Sequence, residues 1–283
     1  MLKKIFAEMR LKQWTKNFFV YAALLFNGTL FDAEKFFSVT IIFGTFCILS
    51  SSVYFFNDIF DYESDKINPA KKSRPIASGA ISVRQGYFFA AILFSAAMLI
   101  SYNLNFECFC LLLSYAAINI LYTVKLKNFV IVDVLIIAYG FIARSLAGAW
   151  AANIFLTEWF ILCVMFLSIF LALGKRRHEL IATAQVGGGR KVLKSYSVEL
   201  IDQMTTINSA ALLICYALFA LNTPDKSKMI FTIPLVLYGI FYYLYIVRVK
   251  NRGGAPDVAL YKEKPILLTV LIYVAAIIFI RNF

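Results

Sequence analysis

Apolar runs recur along the whole chain, each near the length of a bilayer crossing and divided from the next by a short polar stretch. A helix needs about 20 mostly apolar residues to cross a membrane. On that ruler nine segments qualify: 17–31, 36–56, 86–102, 106–124, 129–151, 159–173, 207–221, 229–247 and 265–280. The first and sixth are short, so their ends must extend into neighbouring polar sequence. The pattern predicts an all-α membrane protein of nine transmembrane helices, forming a single polytopic domain over residues 1–283. No stretch is left that could fold as a separate soluble domain.

The polar positions alternate too. The N-terminal segment and every second connection after it carry 23 Lys and Arg, while the opposite connections and the C-terminus carry 4, with Arg144 left inside an apolar segment. By the positive-inside rule the N-terminus and the long loops are cytoplasmic and the C-terminus lies outside, in the inner (cell) membrane. Composition agrees: 61% of the 283 residues are hydrophobic and 16% charged, against about 45–50% and 25% in soluble domains. A net charge of +12 would suggest nucleic acid in a soluble protein; here topology explains it, and nucleic acid is not an expected partner. All five cysteines fall in apolar segments without a Cys-x-x-Cys pair, and His178 is the only histidine. That removes a disulfide framework, a zinc site and a Ser-His-Asp triad. No small-residue cleavage site follows the first apolar core, so no removable signal peptide is expected.

Acids crowd the same cytoplasmic side, although orientation requires only the bases there. The sharpest cluster is NDIFDYESD, residues 57–65, at the end of the second segment. Asn57, Asp61 and Asp65 are spaced i, i+4, i+8, which keeps them on one helical face over roughly 12 Å. Three stacked oxygen ligands suit Mg²⁺, which keeps places for substrate phosphates. Next comes KINPAKKSRPIASGAI, residues 66–81, whose Lys71, Lys72 and Arg74 form a cationic arm suited to phosphate. In LYTVKLKNFVIVDV, residues 121–134, Tyr122, Lys125, Lys127 and Asp133 crowd a connection of about four residues. Arg144 follows, eleven positions on and too far along a helix to pair with Asp133; an intramembrane charge marks a site. GKRRHEL, residues 174–180, offers Lys175 and Glu179 at i, i+4 with Arg176 beside them. RLKQWTKN, residues 10–17, offers Trp14 as an interfacial anchor, with Lys12, Lys16 and Asn17 reaching toward the same pocket. One Mg²⁺-type face and four basic clusters on a single membrane surface point to a diphosphate-bearing donor that meets a lipid at the interface.

These motifs resemble the UbiA superfamily of intramembrane prenyltransferases, whose hallmark N-x-x-x-D-x-x-x-D follows the second of nine helices and is matched by Asn57, Asp61 and Asp65. Within it the chain is most similar to the decaprenyl-phosphate phosphoribosyltransferases, through RLKQWTKN, NDIFDYESDKINPAKKSRPIASG, LKNFVIVDV with Arg144, GKRRHEL and PDVALYKEKP. The resemblance implies a UbiA-type bundle that uses Mg²⁺ to transfer 5-phosphoribose from phosphoribosyl diphosphate to a polyprenyl phosphate, releasing diphosphate; homo-oligomers are allowed. Expected catalytic residues are Asp61, Asp65 and Lys175, with metal held by Asn57, Asp61 and Asp65. Expected substrate contacts are Lys12, Lys16, Asn17, Lys72, Arg74, Tyr122, Lys125, Lys127, Asp133, Arg144, Arg176 and Glu179. The usual prenyltransferases carry a second Asp-rich motif where this chain has GKRRHEL, which suits a donor with an additional 5-phosphate. Two rivals are an aromatic prenyltransferase acting on a ring such as 4-hydroxybenzoate, and a transporter. The missing second motif counts against the first, and the gathering of ionisable residues at one surface against the second.

Overall fold

The computed structural model describes residues 2–68, 71–186, 191–251 and 262–282. Every regular element among them is helical: α1 (Leu2–Glu8), a 3₁₀ helix (Leu11–Tyr21), α2 (Ala22–Asn27), α3 (Ala33–Phe60), α4 (Tyr62–Ile67), α5 (Val83–Leu104), α6 (Phe106–Val124), α7 (Val132–Ala151), α8 (Glu158–Val186), α9 (Val198–Leu221), α10 (Lys226–Met229), α11 (Ile233–Arg248) and α12 (Lys264–Asn282), with short 3₁₀ turns between some of them. Eight helical stretches among the described residues are long and apolar enough to cross a membrane, which makes this a multi-pass membrane protein. They coincide with the second to ninth expected segments. The first six residues of the PDVALYKEKP motif, 256–261, lie outside the described residues.

The first expected segment takes another form. Residues 11–21 wind as a 3₁₀ helix and only six residues of α2 follow, ending at Gly28, whose φ of 74° suits glycine. The reason is tertiary. Three residues per turn put Trp14, Asn17 and Val20 in one line, whereas an α-helix would turn each about 60° from the last. That line meets α3 and α7: Trp14 Nε1 donates to Ser51 Oγ at 3.1 Å, and Asn17 Nδ2 to Ser50 Oγ at 3.4 Å and Cys47 Sγ at 3.3 Å. Val20 offers its backbone to Gly148, where an added Cβ would sit 1.8 Å from the Val20 carbonyl oxygen. Only glycine fits at 148.

By compactness the chain forms two units. The first comprises Met1–Leu24, Phe31–Lys127 and Ala143–Ile154. Its centre is α3, capped by the Asp32 carboxylate on the Lys35 amide at 3.2 Å and packed against α5, α6 and the 3₁₀ helix. A run of three buried serines ties α3 to its neighbours: Ser51 Oγ donates to the Met9 carbonyl and Ser52 Oγ to that of Ala90. Asn105 alone joins α5 to α6, its side chain accepting from the Cys108 amide at 2.6 Å and donating to the Trp150 carbonyl at 3.2 Å. The second unit comprises Leu25–Leu30, Asn128–Ile142 and Phe155–Phe283. In it α8 packs along α9, and α11 along α12. With 29 residues α8 is about 44 Å long, well beyond a hydrocarbon core of about 30 Å. GKRRHEL is therefore helical, on the part of α8 that outruns its apolar stretch.

Candidate active site

At the end of α3 the helical path barely breaks. The Asp61 amide still bonds the Asn57 carbonyl at 2.9 Å, and the Asp65 amide the Asp61 carbonyl at 2.8 Å. Asn57, Asp61 and Asp65 therefore keep their i, i+4, i+8 succession across the step from α3 to α4. Each already accepts from a neighbour. Thr123 at the end of α6 donates its hydroxyl to Asn57 Oδ1. Lys127 Nζ stands 2.6 Å from Asp61 Oδ1. Asp65 takes Lys71 at 3.1 Å on one oxygen and Arg74 at 2.6 Å on the other.

A fourth acid joins them. Asp58 is buried and accepts from both Arg10 and Arg74, the latter at 3.0 Å, so Arg74 bridges Asp58 to Asp65. Four cations thus converge on three acids within the first unit: Arg10, Lys71, Arg74 and Lys127 on Asp58, Asp61 and Asp65. The sequence reading passed over Asp58 because it lies about 100° from Asn57 on the helix, off the face of the motif. It also missed Arg10, Thr123 and Glu8. Glu8 had a usable signal, being the only acid before Asp32 in an otherwise basic segment.

The donor set of one amide and two carboxylates, without thiol or imidazole, suits a hard divalent cation. All three side chains already present their oxygens as acceptors, the state a metal requires, so the residues fit. No group of three His, Cys, Asp or Glu stands ready as a metal cage among the described residues, as expected where lysine and arginine hold the carboxylates.

Several expected contacts are placed elsewhere. Arg144 and Asn17 belong to an internal strut: Asn17 is wholly buried, and Arg144 Nε donates to its Oδ1 at 2.7 Å while Nη2 donates to the Tyr115 hydroxyl at 2.9 Å. Phe46 and Tyr115 lie under the guanidinium at 5.6 and 5.1 Å. Lys12, Lys72 and Lys125 are exposed, and Lys16 and Tyr122 half-buried.

Asp133 belongs to the second unit. In the second unit, Arg176 Nε donates to Asp133 Oδ2 at 2.6 Å, and the Tyr196 hydroxyl to Oδ1 at 2.9 Å. Arg176 also reaches Glu179, leaving Lys175 at 4.0 Å from that carboxylate. Asp133 and Arg176 are sealed from water at 0 and 1% exposure, above the apolar set Val134, Leu173, Val192 and Ile201. Tyr196 further accepts from the Ile131 amide at 2.7 Å, holding a β-branched residue at φ 70°, an uncommon conformation. Burial, then the Asp133 carboxylate, pushes the Tyr196 phenol up to about 12, so its proton stays in place to bind Asp133.

Comparison with known proteins bears on both units. The model of the UbiA prenyltransferase family matches residues 17–278. Decaprenyl-phosphate phosphoribosyltransferase of Mycolicibacterium smegmatis is 30% identical over 95% of this chain and 89% of its own; that of Corynebacterium glutamicum is 32% identical over 95% and 84%. In structure, a UbiA homolog from Archaeoglobus fulgidus bound to DMAPP and Mg²⁺ superposes with a TM-score of 0.77, covering 99% of both chains at 16% identity; the same homolog has been solved with GPP and Mg²⁺ and with Cd²⁺. Divalent metal is thus bound within this fold. The chain belongs to the UbiA prenyltransferase family.

Proposed function

We propose that this protein transfers 5-phosphoribose from phosphoribosyl diphosphate to a polyprenyl phosphate and releases diphosphate. The observation that carries the reading is the convergence of Arg10, Lys71, Arg74 and Lys127 on Asp58, Asp61 and Asp65 at a helix end. A cluster so rich in both signs suits a polyanion brought with a divalent metal, and the named relatives act on a polyprenyl phosphate. Mg²⁺ held by Asn57, Asp61 and Asp65 would supply charge compensation for the departing diphosphate. The residues themselves do the rest: Arg74, Lys71 and Lys127 receive phosphate oxygens, and half-buried Lys175, 4.0 Å from Glu179, is assigned to the 5-phosphate, Arg176 being held by Asp133 and Glu179. The C1–O bond to diphosphate breaks as an acceptor phosphate oxygen bonds C1. That oxygen is already anionic, so no general base is needed, in keeping with a chain holding one histidine.

In this reading residues 1–283 work as one inner-membrane transferase with its charged surface cytoplasmic. The first segment supplies a ninth crossing. Eleven 3₁₀ residues and six α residues reach about 31 Å at roughly 2.0 and 1.5 Å per residue, enough for the hydrocarbon core. The test is incubation of purified protein with Mg²⁺, labelled phosphoribosyl diphosphate and polyprenyl phosphates of several lengths. A labelled lipid is expected; alkylation of 4-hydroxybenzoate by a prenyl diphosphate instead would replace this reading with aromatic prenyl transfer.

A further inference from the structure

Glu8, the last residue of α1, is wholly buried, and neither of its oxygens meets an aligned hydrogen-bond donor; its side-chain neighbour is the Asp58 carboxyl. A buried carboxylate without donors is costly, and a second one against it more so. A carboxylic acid whose O–H is given to Asp58 removes both costs. The charged groups that act on it are Asp58 on α3 and Arg10 just after α1, with Arg74 bound to the same Asp58 carboxylate, while the Ile76 backbone faces it from the apolar cluster of Phe55, Ile59 and Ile76. We propose that Glu8 is a positioning residue of the donor site: as a neutral acid it orients Asp58 by a hydrogen bond and leaves the surrounding cluster one positive charge in excess for a polyanionic donor.

The count is direct. Arg10, Lys71, Arg74 and Lys127 outnumber Asp58, Asp61 and Asp65 by one, and ionisation of Glu8 cancels that excess. Burial, followed by the hydrogen bond to Asp58 and the charge of Asp58, raises the Glu8 carboxyl to about 8, with Arg10 and the Ile76 backbone opposing. Glu8 is therefore mostly protonated at pH 7 and ionises between pH 7 and 9. Over that range the phosphates of the donor are already ionised, and lysine and arginine keep their charge. This inference rests on the phosphoribosyl reading of the same site.

The experiment has two arms. In steady-state kinetics of the membrane-reconstituted protein, KM for phosphoribosyl diphosphate is expected to rise about tenfold from pH 7 to 9, the effect of one charge at close range. In Glu8→Gln, whose amide still donates to Asp58 and never ionises, KM should stay level. In infrared difference spectra of the protein without substrates, the carbonyl band of a protonated carboxyl should fade over the same interval and be missing from Glu8→Gln. A flat wild-type KM, a rise that persists in Glu8→Gln, or no such band in wild type overturns the proposal; the wild-type measurements decide even if the variant does not fold. Absence of labelled lipid at every pH overturns the phosphoribosyl reading instead, and leaves the infrared titration to judge the protonation of Glu8.

Discussion

Asp61 and Asp65 belong to one motif but stand in different surroundings, and their substitutions should separate accordingly. The Asp61 side chain is 27% exposed with one lysine partner, whereas that of Asp65 is 2% exposed and holds Lys71 and Arg74 together. Exposed ion pairs contribute about 0–1 kcal/mol. Asp61→Asn should therefore abolish transfer and leave the melting temperature nearly unchanged, while Asp65→Asn should abolish transfer and also lower it; labelled-lipid assay and thermal unfolding in detergent check both. Lys175 and Arg176 divide in the same way. Lys175→Ala should raise KM for phosphoribosyl diphosphate tenfold to a hundredfold, the loss of one charged hydrogen bond of roughly 1.5–3 kcal/mol. Arg176→Ala strands Asp133 without its charge partner and should cost about 3–5 kcal/mol of stability, seen first as poor recovery of folded protein. The sequence could not separate these neighbours, because adjacent helical positions carry no sign of which one faces the interior. The motif itself was legible from its spacing. Arg74 was legible as part of the cationic arm beside it, but Arg10 was not, since Arg10 and Asp58 lie 48 positions apart and only the folded chain brings them together.

At the scale of elements, the second to ninth apolar segments were readable as helices because length and hydropathy decide them. The first was not, because its 3₁₀ form depends on partners distant in sequence: Ser50 and Ser51 on α3, and Gly148 on α7. That dependence has a simple test. A methyl at 148 would run into the Val20 carbonyl, and overpacking of this kind costs about 1–3 kcal/mol or more. Gly148→Ala should therefore lower the melting temperature and loosen the 3₁₀ helix. A cysteine placed at Val20, buried in the wild type, should then react with maleimide faster in the Gly148→Ala background than without it. The apolar runs also understate α8. Its hydrophobic stretch stops near Leu173, yet the helix continues to Val186, carried past the polar turn by the Arg176–Glu179 pair on its own face and by Asp133 on α7.

For the whole molecule the split of 23 cationic residues against 4 predicts an inside N-terminus and an outside C-terminus. A reporter fused after Phe283 should be active only when it is one that works outside the cytoplasm. The joint at Asn105 adds something the charge count does not. A single residue separates α5 from α6, and the described connections on that same side, 28–32, 152–157 and 222–225, are nearly as brief. An antibody or a protease arriving from outside finds almost no loop long enough to enter its own binding cleft, and few of the cationic residues trypsin needs. The protein should therefore survive trypsin in intact, outward-facing cells and be cut rapidly in inverted vesicles. In that orientation its exposure to the cell's surroundings would be almost nil, and its regulation and its turnover would have only the inner face to work from.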